Sequence, residues 1–181
     1  MDSNRKFTVL VIDPQKGWIN NHTEKLFERI WSFISDYGLN NSTVIATFSN
    51  TPKSKFRKFL PWWDGFTDKG DTQAISPFNH GQFPVFRRRT YGMPPSFWKE
   101  LRSKRVDELL ITGVETDASV IKTAMDAFDR GINSWIIAEL VGSTYGKDGQ
   151  EAGLRIARKV LGKDHVYDSA DEFLRRVTLH A

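Results

Sequence analysis

Three side chains of this 181-residue chain have types and neighbours that could do chemistry at one place: Asp13, Arg88 and Ser119. Asp13 ends the apolar run Phe7-Thr-Val-Leu-Val-Ile12 and is followed by Pro14, which cannot extend a strand ladder. Arg88 is the middle residue of Arg87-Arg-Arg89, just ahead of Tyr91-Gly92. Ser119 closes Gly113-Val-Glu-Thr-Asp-Ala-Ser119, between an apolar segment and a helical pattern. A serine hydroxyl ionises poorly and becomes a nucleophile only beside a general base. An aspartate of ordinary pKa, ~3.9, is a weak base unless its surroundings raise it. An arginine does not relay protons, but its planar fork holds a carboxylate bidentately, whether that of Asp13 or of a ligand.

The elements around these residues alternate. Phe7–Ile12, Thr43–Phe48, Val85–Arg88, Glu108–Thr112, Ser134–Ala138 and His165–Tyr167 read as short apolar or β-branched strands. Helical spacing appears over Thr23–Tyr37, with Leu26, Ile30, Ile34 and Tyr37 on one face and Gly38 placed to cap it. Pro95–Lys104, Ala118–Arg130, Asp148–Leu161 and Ala170–Arg176 read as further helices, the second turning Val120, Ile121, Ala124, Ala127 and Phe128 inward. Strands alternating with helices imply an α/β fold of three layers, an open and mostly parallel sheet covered on both faces. Ligands of such sheets sit beyond the carboxyl ends of the strands. That rule brings Asp13, the residues after Phe48, the Arg88 region and the Glu115–Ser119 turn to one edge. Strand alternation also separates Arg88 from Arg87 and Arg89, so the basic run is not one patch.

Composition sets wide bounds. The length suits a single domain over residues 1–181, and 39% hydrophobic with 27% charged residues is ordinary for a soluble globular chain. Twenty-six basic against 22 acidic side chains is a small excess, which argues against nucleic acid as the main partner. No run approaches the roughly 18 apolar residues of a membrane span. Met1-Asp-Ser-Asn-Arg-Lys leads straight into a strand, so a cytoplasmic protein with no membrane partner is expected. The chain has no cysteine, which closes off disulfides, thiolate metal sites and redox chemistry at sulfur.

The segment Gly113-Val-Glu-Thr-Asp-Ala-Ser-Val120, followed by Thr123-Ala-Met-Asp-Ala127, closely resembles the isochorismatase-like cysteine hydrolases. Their pattern reads Gly-Val-x-Thr-Asp-x-Cys-Val and then Thr-Ala-x-Asp-Ala, and the resemblance extends from Val9 to about Gly162. It implies a Rossmann-like domain, a homo-oligomer, and hydrolysis of a carbon–nitrogen bond in a small amide or carbamoyl compound. It also implies a triad in which a Cys attacks the carbonyl carbon, an Asp handles its proton and a Lys adjusts their ionisation. Asp13 matches the Asp, Ser119 stands in the Cys position and Arg88 in the Lys position. Backbone N–H groups of the turn, around Val114, Glu115 and Ser119, are the expected oxyanion hole. Members of the family often carry a non-proline cis peptide there, which predicts one between Val114 and Glu115.

Two of three triad positions therefore depart from the pattern, and thiol-type turnover should be severely reduced. Three explanations of Ser119 stay open: a Cys-to-Ser change introduced to trap a ligand, loss of catalysis in a metabolite- or protein-binding member, or a reaction needing the aspartate alone. The last occurs in relatives that cleave a vinyl ether. The residues also have plainer readings, Asp13 as a turn cap, Ser119 as a small residue opening a helix and Arg88 as a surface ion-pair partner.

Residues 49–84 lose periodicity and gain aromatics, as functional loops do. Phe48-Ser-Asn50, Ser54-Lys-Phe56 and Trp62-Trp63 resemble a subset of these hydrolases, and aromatic side chains here could wall a pocket, anchor the loop or make a subunit contact. The expected pocket comprises Gln15, Trp18, Asn50, Phe56, Trp62, Trp63, Tyr91 and Thr116. Nicotinamidase-like members place an Asp and paired His on a metal in this region. His22, His80, His165 and His180 form no His-x-His pair, so neither a metal nor another cofactor is expected.

Overall fold

The computed structural model describes residues 6–179. Strand β1 (Lys6–Ile12) runs down the middle of a six-stranded sheet. It is followed by α1 (Leu26–Asp36), β2 (Thr43–Phe48), the short helices α2 (Lys55–Phe59) and α3 (Lys69–Thr72), β3 (Val85–Arg88) and α4 (Pro95–Ser103). Then come β4 (Val106–Val114), a π-helical turn over Thr116–Val120, α5 (Ile121–Phe128), β5 (Asn133–Gly142), α6 (Gly146–Val160), β6 (Val166–Tyr167) and α7 (Ala170–Leu179). The strand order is β3-β2-β1-β4-β5-β6, and every pair is parallel. Among the described residues no helix is long and apolar enough to cross a membrane.

Strand periodicity divides the core into two layers. Leu10 and Ile12 of β1 pack on one face with Phe97 and Leu101 of α4, Val120 and Ala124, and Leu154 of α6. Val9 and Val11 point the other way, onto Phe27, Ile30 and Ile34 of α1 and onto Phe173 of α7. All four β1 side chains are fully buried, and each contributes roughly 1.5–3 kcal/mol relative to exposure. Two aromatic residues depart from the expected inward faces because they stand at helix ends, where the chain turns away from the sheet. Phe128, the last residue of α5, is 63% exposed. Tyr37, just past α1, is also largely exposed and rests on Phe33 with ring centroids 5.2 Å apart.

Glycines set the approach of the elements that carry Ser119. Gly113 has φ +100°, a region closed to most L residues, and a Cβ there would overlap the Ile12 carbonyl of the neighbouring strand. The end of β4 can therefore lie against the end of β1. On the other side, Gly153 of α6 is pressed against the π turn, and a Cβ on it would sit 2.6 Å from the Thr116 carbonyl. The peptide between Val114 and Glu115 is cis, as the resemblance predicts, and Ser76–Pro77 is a second cis bond.

Alanine is the better helix former, yet Gly153→Ala is expected to destabilise, because about 1–3 kcal/mol of overpacking against Thr116 outweighs the gain in propensity. Thermal melts should show Tm lower by roughly 2–6 °C for a chain of this size. A raised Tm would mean that α6 and the turn can separate without cost.

Candidate active site

Asp13, Arg88 and Ser119 come from the carboxyl ends of β1 and β3 and from the β4-to-α5 turn; β1 and β4 are neighbours, and β3 lies one strand further, beyond β2. Asp13 adopts φ +55°, a left-handed conformation that aspartate tolerates better than most residues, and its N–H donates to the Ala46 carbonyl at 2.9 Å. Pro14 and Gln15 then leave the sheet. Alternation along β3 buries Arg88 and exposes Arg87 and Arg89, as the sequence predicts. The plain reading of Arg88 as a surface residue fails on this burial.

Arg88 joins the three. One terminal nitrogen, Nη2, donates to Asp13 Oδ2 and also to Ser119 Oγ, the latter at 2.9 Å. The other, Nη1, donates to the Thr90 carbonyl and, at 3.4 Å, to that of Tyr91. The guanidinium carbon lies 5.2 Å from the centre of the Phe48 ring, a cation–π contact. The ion pair is almost wholly excluded from solvent, so each charge offsets only part of the hydration the other has lost. Burial nevertheless pushes the Asp13 carboxyl up to about 6; the Arg88 cation pulls it down, and nearby Glu115 adds to the rise. Four buried polar atoms in this neighbourhood have no hydrogen-bond partner among the described residues: Asp13 Oδ1, Arg88 Nε, Trp18 Nε1 and Glu115 Oε1.

Above Arg88 opens a cavity of about 400 Å³ with aromatic walls. Trp18, Phe56, Trp62, Trp63 and Tyr91 line it, as the expected pocket includes. Phe48, Leu60 and Tyr145 line it as well, without having been anticipated. Phe48 is the last residue of β2 and Tyr145 follows β5, so the carboxyl-end rule applied to every strand would have found both. Phe48 anchors a small cluster, with Phe56 at 5.2 Å, Phe66 at 5.6 Å and Trp63 at 5.8 Å between ring centres.

Three residues expected in the pocket brace it from behind and do not line it. Gln15 is fully buried; its amide nitrogen donates to the Phe48 and Thr72 carbonyls, both at 2.9 Å, and its oxygen accepts from the Phe48 N–H at 2.7 Å. Asn50 donates to the Gly65 carbonyl at 3.2 Å and accepts from Thr51 N–H and the Ser54 hydroxyl. Thr116 donates to Gln150 Oε1 at 2.6 Å, holding the turn to α6. Polar groups this deeply buried must find partners, and the loop backbone offers them first.

Ser119 is buried in the π turn, and its carbonyl accepts from the Thr123 hydroxyl at 2.7 Å. In the same turn the Ala118 and Val120 N–H groups both donate to the Glu115 carbonyl, at 3.1 and 3.0 Å. Val114 is buried beneath it. The Glu115 side chain turns away to accept from the Thr144 N–H at 2.9 Å, and burial raises its carboxyl above the ordinary range. Among the described residues no cluster of three or more His, Asp or Glu could hold a metal ion; His180 lies outside them.

A family model described as the Isochorismatase domain matches residues 8–165. Solved structures with the same fold include a cysteine hydrolase from Pseudomonas syringae pv. phaseolicola (15% identity, TM-score 0.80, 97% of this chain and 94% of that one). A nicotinamidase/pyrazinamidase from Bacillus subtilis superposes with TM-score 0.76 at 17% identity, covering 90% of this chain and 100% of that one. An N-carbamoylsarcosine amidase from Thermoplasma acidophilum gives 0.74 at 15% identity, with 90% and 94% covered. No curated protein matches the sequence.

Because the Asp13 pKa is higher in the folded chain than the unfolded ~3.9, protonation favours the fold. Its contribution is fully present below about pH 4 and is lost as pH rises through about 6. Wild type should therefore lose stability relative to Asp13→Asn across that window in melts taken from pH 4 to 7. A difference curve flat with pH would show that Asp13 is not protonated there.

Proposed function

The chain belongs to the Isochorismatase domain family, and from that premise we propose that it hydrolyses the carbon–nitrogen bond of a small amide or carbamoyl compound, slowly, with Ser119 as nucleophile. The observation that carries this reading is the burial of Asp13, Arg88 and Ser119 in one hydrogen-bonded unit, of which Arg88 lines the aromatic cavity. Ser119 Oγ attacks the carbonyl carbon and its proton passes to the Asp13 carboxylate. Backbone N–H groups of the Glu115–Ser119 turn receive the oxyanion. The carbon–nitrogen bond then breaks, the proton on Asp13 leaves with the amine, and water hydrolyses the remaining Ser119 ester. Three of these unpartnered atoms fit such a substrate in kind: Asp13 Oδ1 accepts from an amide N–H, while Arg88 Nε and Trp18 Nε1 donate to oxygen.

The rate is low for a physical reason. Arg88 is bonded to the nucleophile and to its base at once, so the base is already charge-paired and the serine oxygen already accepts from a cation. A second reading follows from that same contact, a member that binds its ligand without turning it over. Nicotinamide, pyrazinamide and N-carbamoylsarcosine, taken from the substrates named for the structural neighbours, are the first panel to test.

Ser119→Cys, alone and with Arg88→Lys, should raise ammonia release from at least one of these by roughly a hundredfold over wild type. The new thiol should titrate well below the free value of ~8.5. A thiol near ~8.5 with no ammonia from any amide would sink the hydrolase reading. Saturable amide binding to wild type alongside that result would support the second.

A further inference from the structure

Away from the aromatic cavity, the face between α4 and α5 carries two adjoining hollows of about 690 and 600 Å³ that share Trp98, Arg102 and Arg130. Five cations line them: Lys99, Arg102 and Arg105 from α4 and the turn after it, and Lys122 and Arg130 from α5 and its end. Only Asp126 and Asp107 oppose them within the same walls. Asp126 is already occupied, with Lys122 Nζ at 2.6 Å and Arg130 at 3.7 Å. Arg130 is held in place by Trp98, its guanidinium carbon 4.5 Å from the ring centre. Among the described residues, Lys99, Arg102 and Arg105 have no ion-pair partner, and all three are exposed.

The chain's net charge of +4 is therefore not spread evenly; these hollows alone hold an excess of three positive side chains. Concave walls of one sign focus potential and raise the local concentration of the opposite charge. Arginine forks and lysine ammonium groups are the usual partners of phosphate oxygens. We infer that this groove binds a small multiply charged phosphate compound, a pyrophosphate or a nucleoside diphosphate, at a site separate from the one proposed for hydrolysis.

The floor of the groove is the Thr90–Met93 loop, and this placement makes the site more than a charged surface. Gly92 lies so close to α5 that a Cβ on it would be 2.8 Å from Asp126 Oδ2. The carbonyls of Thr90 and Tyr91 hold Arg88 on the other side of the same loop, and the Tyr91 ring packs on Phe56 at 4.9 Å within the aromatic cavity. A ligand in the groove thus rests on the loop that fixes Arg88.

Calorimetric titration of the full chain with inorganic pyrophosphate, at constant ionic strength, tests the site directly. Saturable binding should weaken about tenfold or more in Lys99→Glu/Arg102→Glu, where two charge-assisted contacts are reversed. It should change little in Lys25→Glu/Lys163→Glu, which makes the same change in net charge elsewhere on the surface. A nucleoside diphosphate that binds tighter than pyrophosphate identifies a nucleotide ligand, and equal affinities identify the phosphate group alone. No binding at millimolar pyrophosphate, or equal weakening in both double variants, would overturn the proposal. So would a short DNA duplex that binds more tightly than either and depends on the same two residues, which would make the face a nucleic-acid surface. Each variant changes only exposed side chains, and its melt is recorded beside that of wild type.

Discussion

The ion pair between Asp13 and Arg88 is the constraint around which the rest of this molecule is arranged. Two opposite charges taken out of water lose several kcal/mol of hydration each, and only close mutual contact with further hydrogen bonds makes that tolerable. Asp13 brings the end of the central strand, and Arg88 the end of the edge strand β3, with β2 between them. The Thr90 and Tyr91 carbonyls hold Nη1 of the arginine, Ser119 shares Nη2 with Asp13, and Phe48 covers its face. Displacing any of these elements leaves a buried charge short of partners. The carboxyl edge of the sheet is thereby made rigid by electrostatics as well as by packing.

That same pairing would slow the proposed hydrolysis. A base tied to an arginine is poorly placed to accept a proton, although burial raises its pKa toward the useful range. The two effects oppose one another in one side chain, and a lysine in place of Arg88, a compact and more readily tuned cation, would shift the balance.

Much of this was legible in the sequence. Strand and helix alternation, the convergence at the carboxyl edge and the opposite faces of Arg88 and its neighbours follow from periodicities of 3.6 and 2 and from the chirality of parallel sheets. The triad assignment came instead from resemblance, since spacing alone does not distinguish Ser119 from any small residue opening a helix. Gln15, Asn50 and Thr116 were the weak points. A short polar side chain beside a pocket can face the ligand or satisfy a loop carbonyl, and sequence carries no information on which backbone groups a long irregular loop leaves unpaired. Phe128 and Tyr37 show the corresponding limit for helices, whose periodicity predicts a face but not where the sheet beneath it stops.

The way Gln15 and Asn50 are used has an evolutionary consequence. Both grip main-chain atoms of the aromatic loop, as does Asp71, whose carboxylate accepts from the Phe66 N–H at 2.9 Å. The course of the loop is therefore specified in part by bonds indifferent to what the exposed Trp62 happens to be. Wall residues can be exchanged by mutation without loss of the frame that carries them. A cavity built this way can drift toward new ligands one side chain at a time, while the charged floor below it stays fixed.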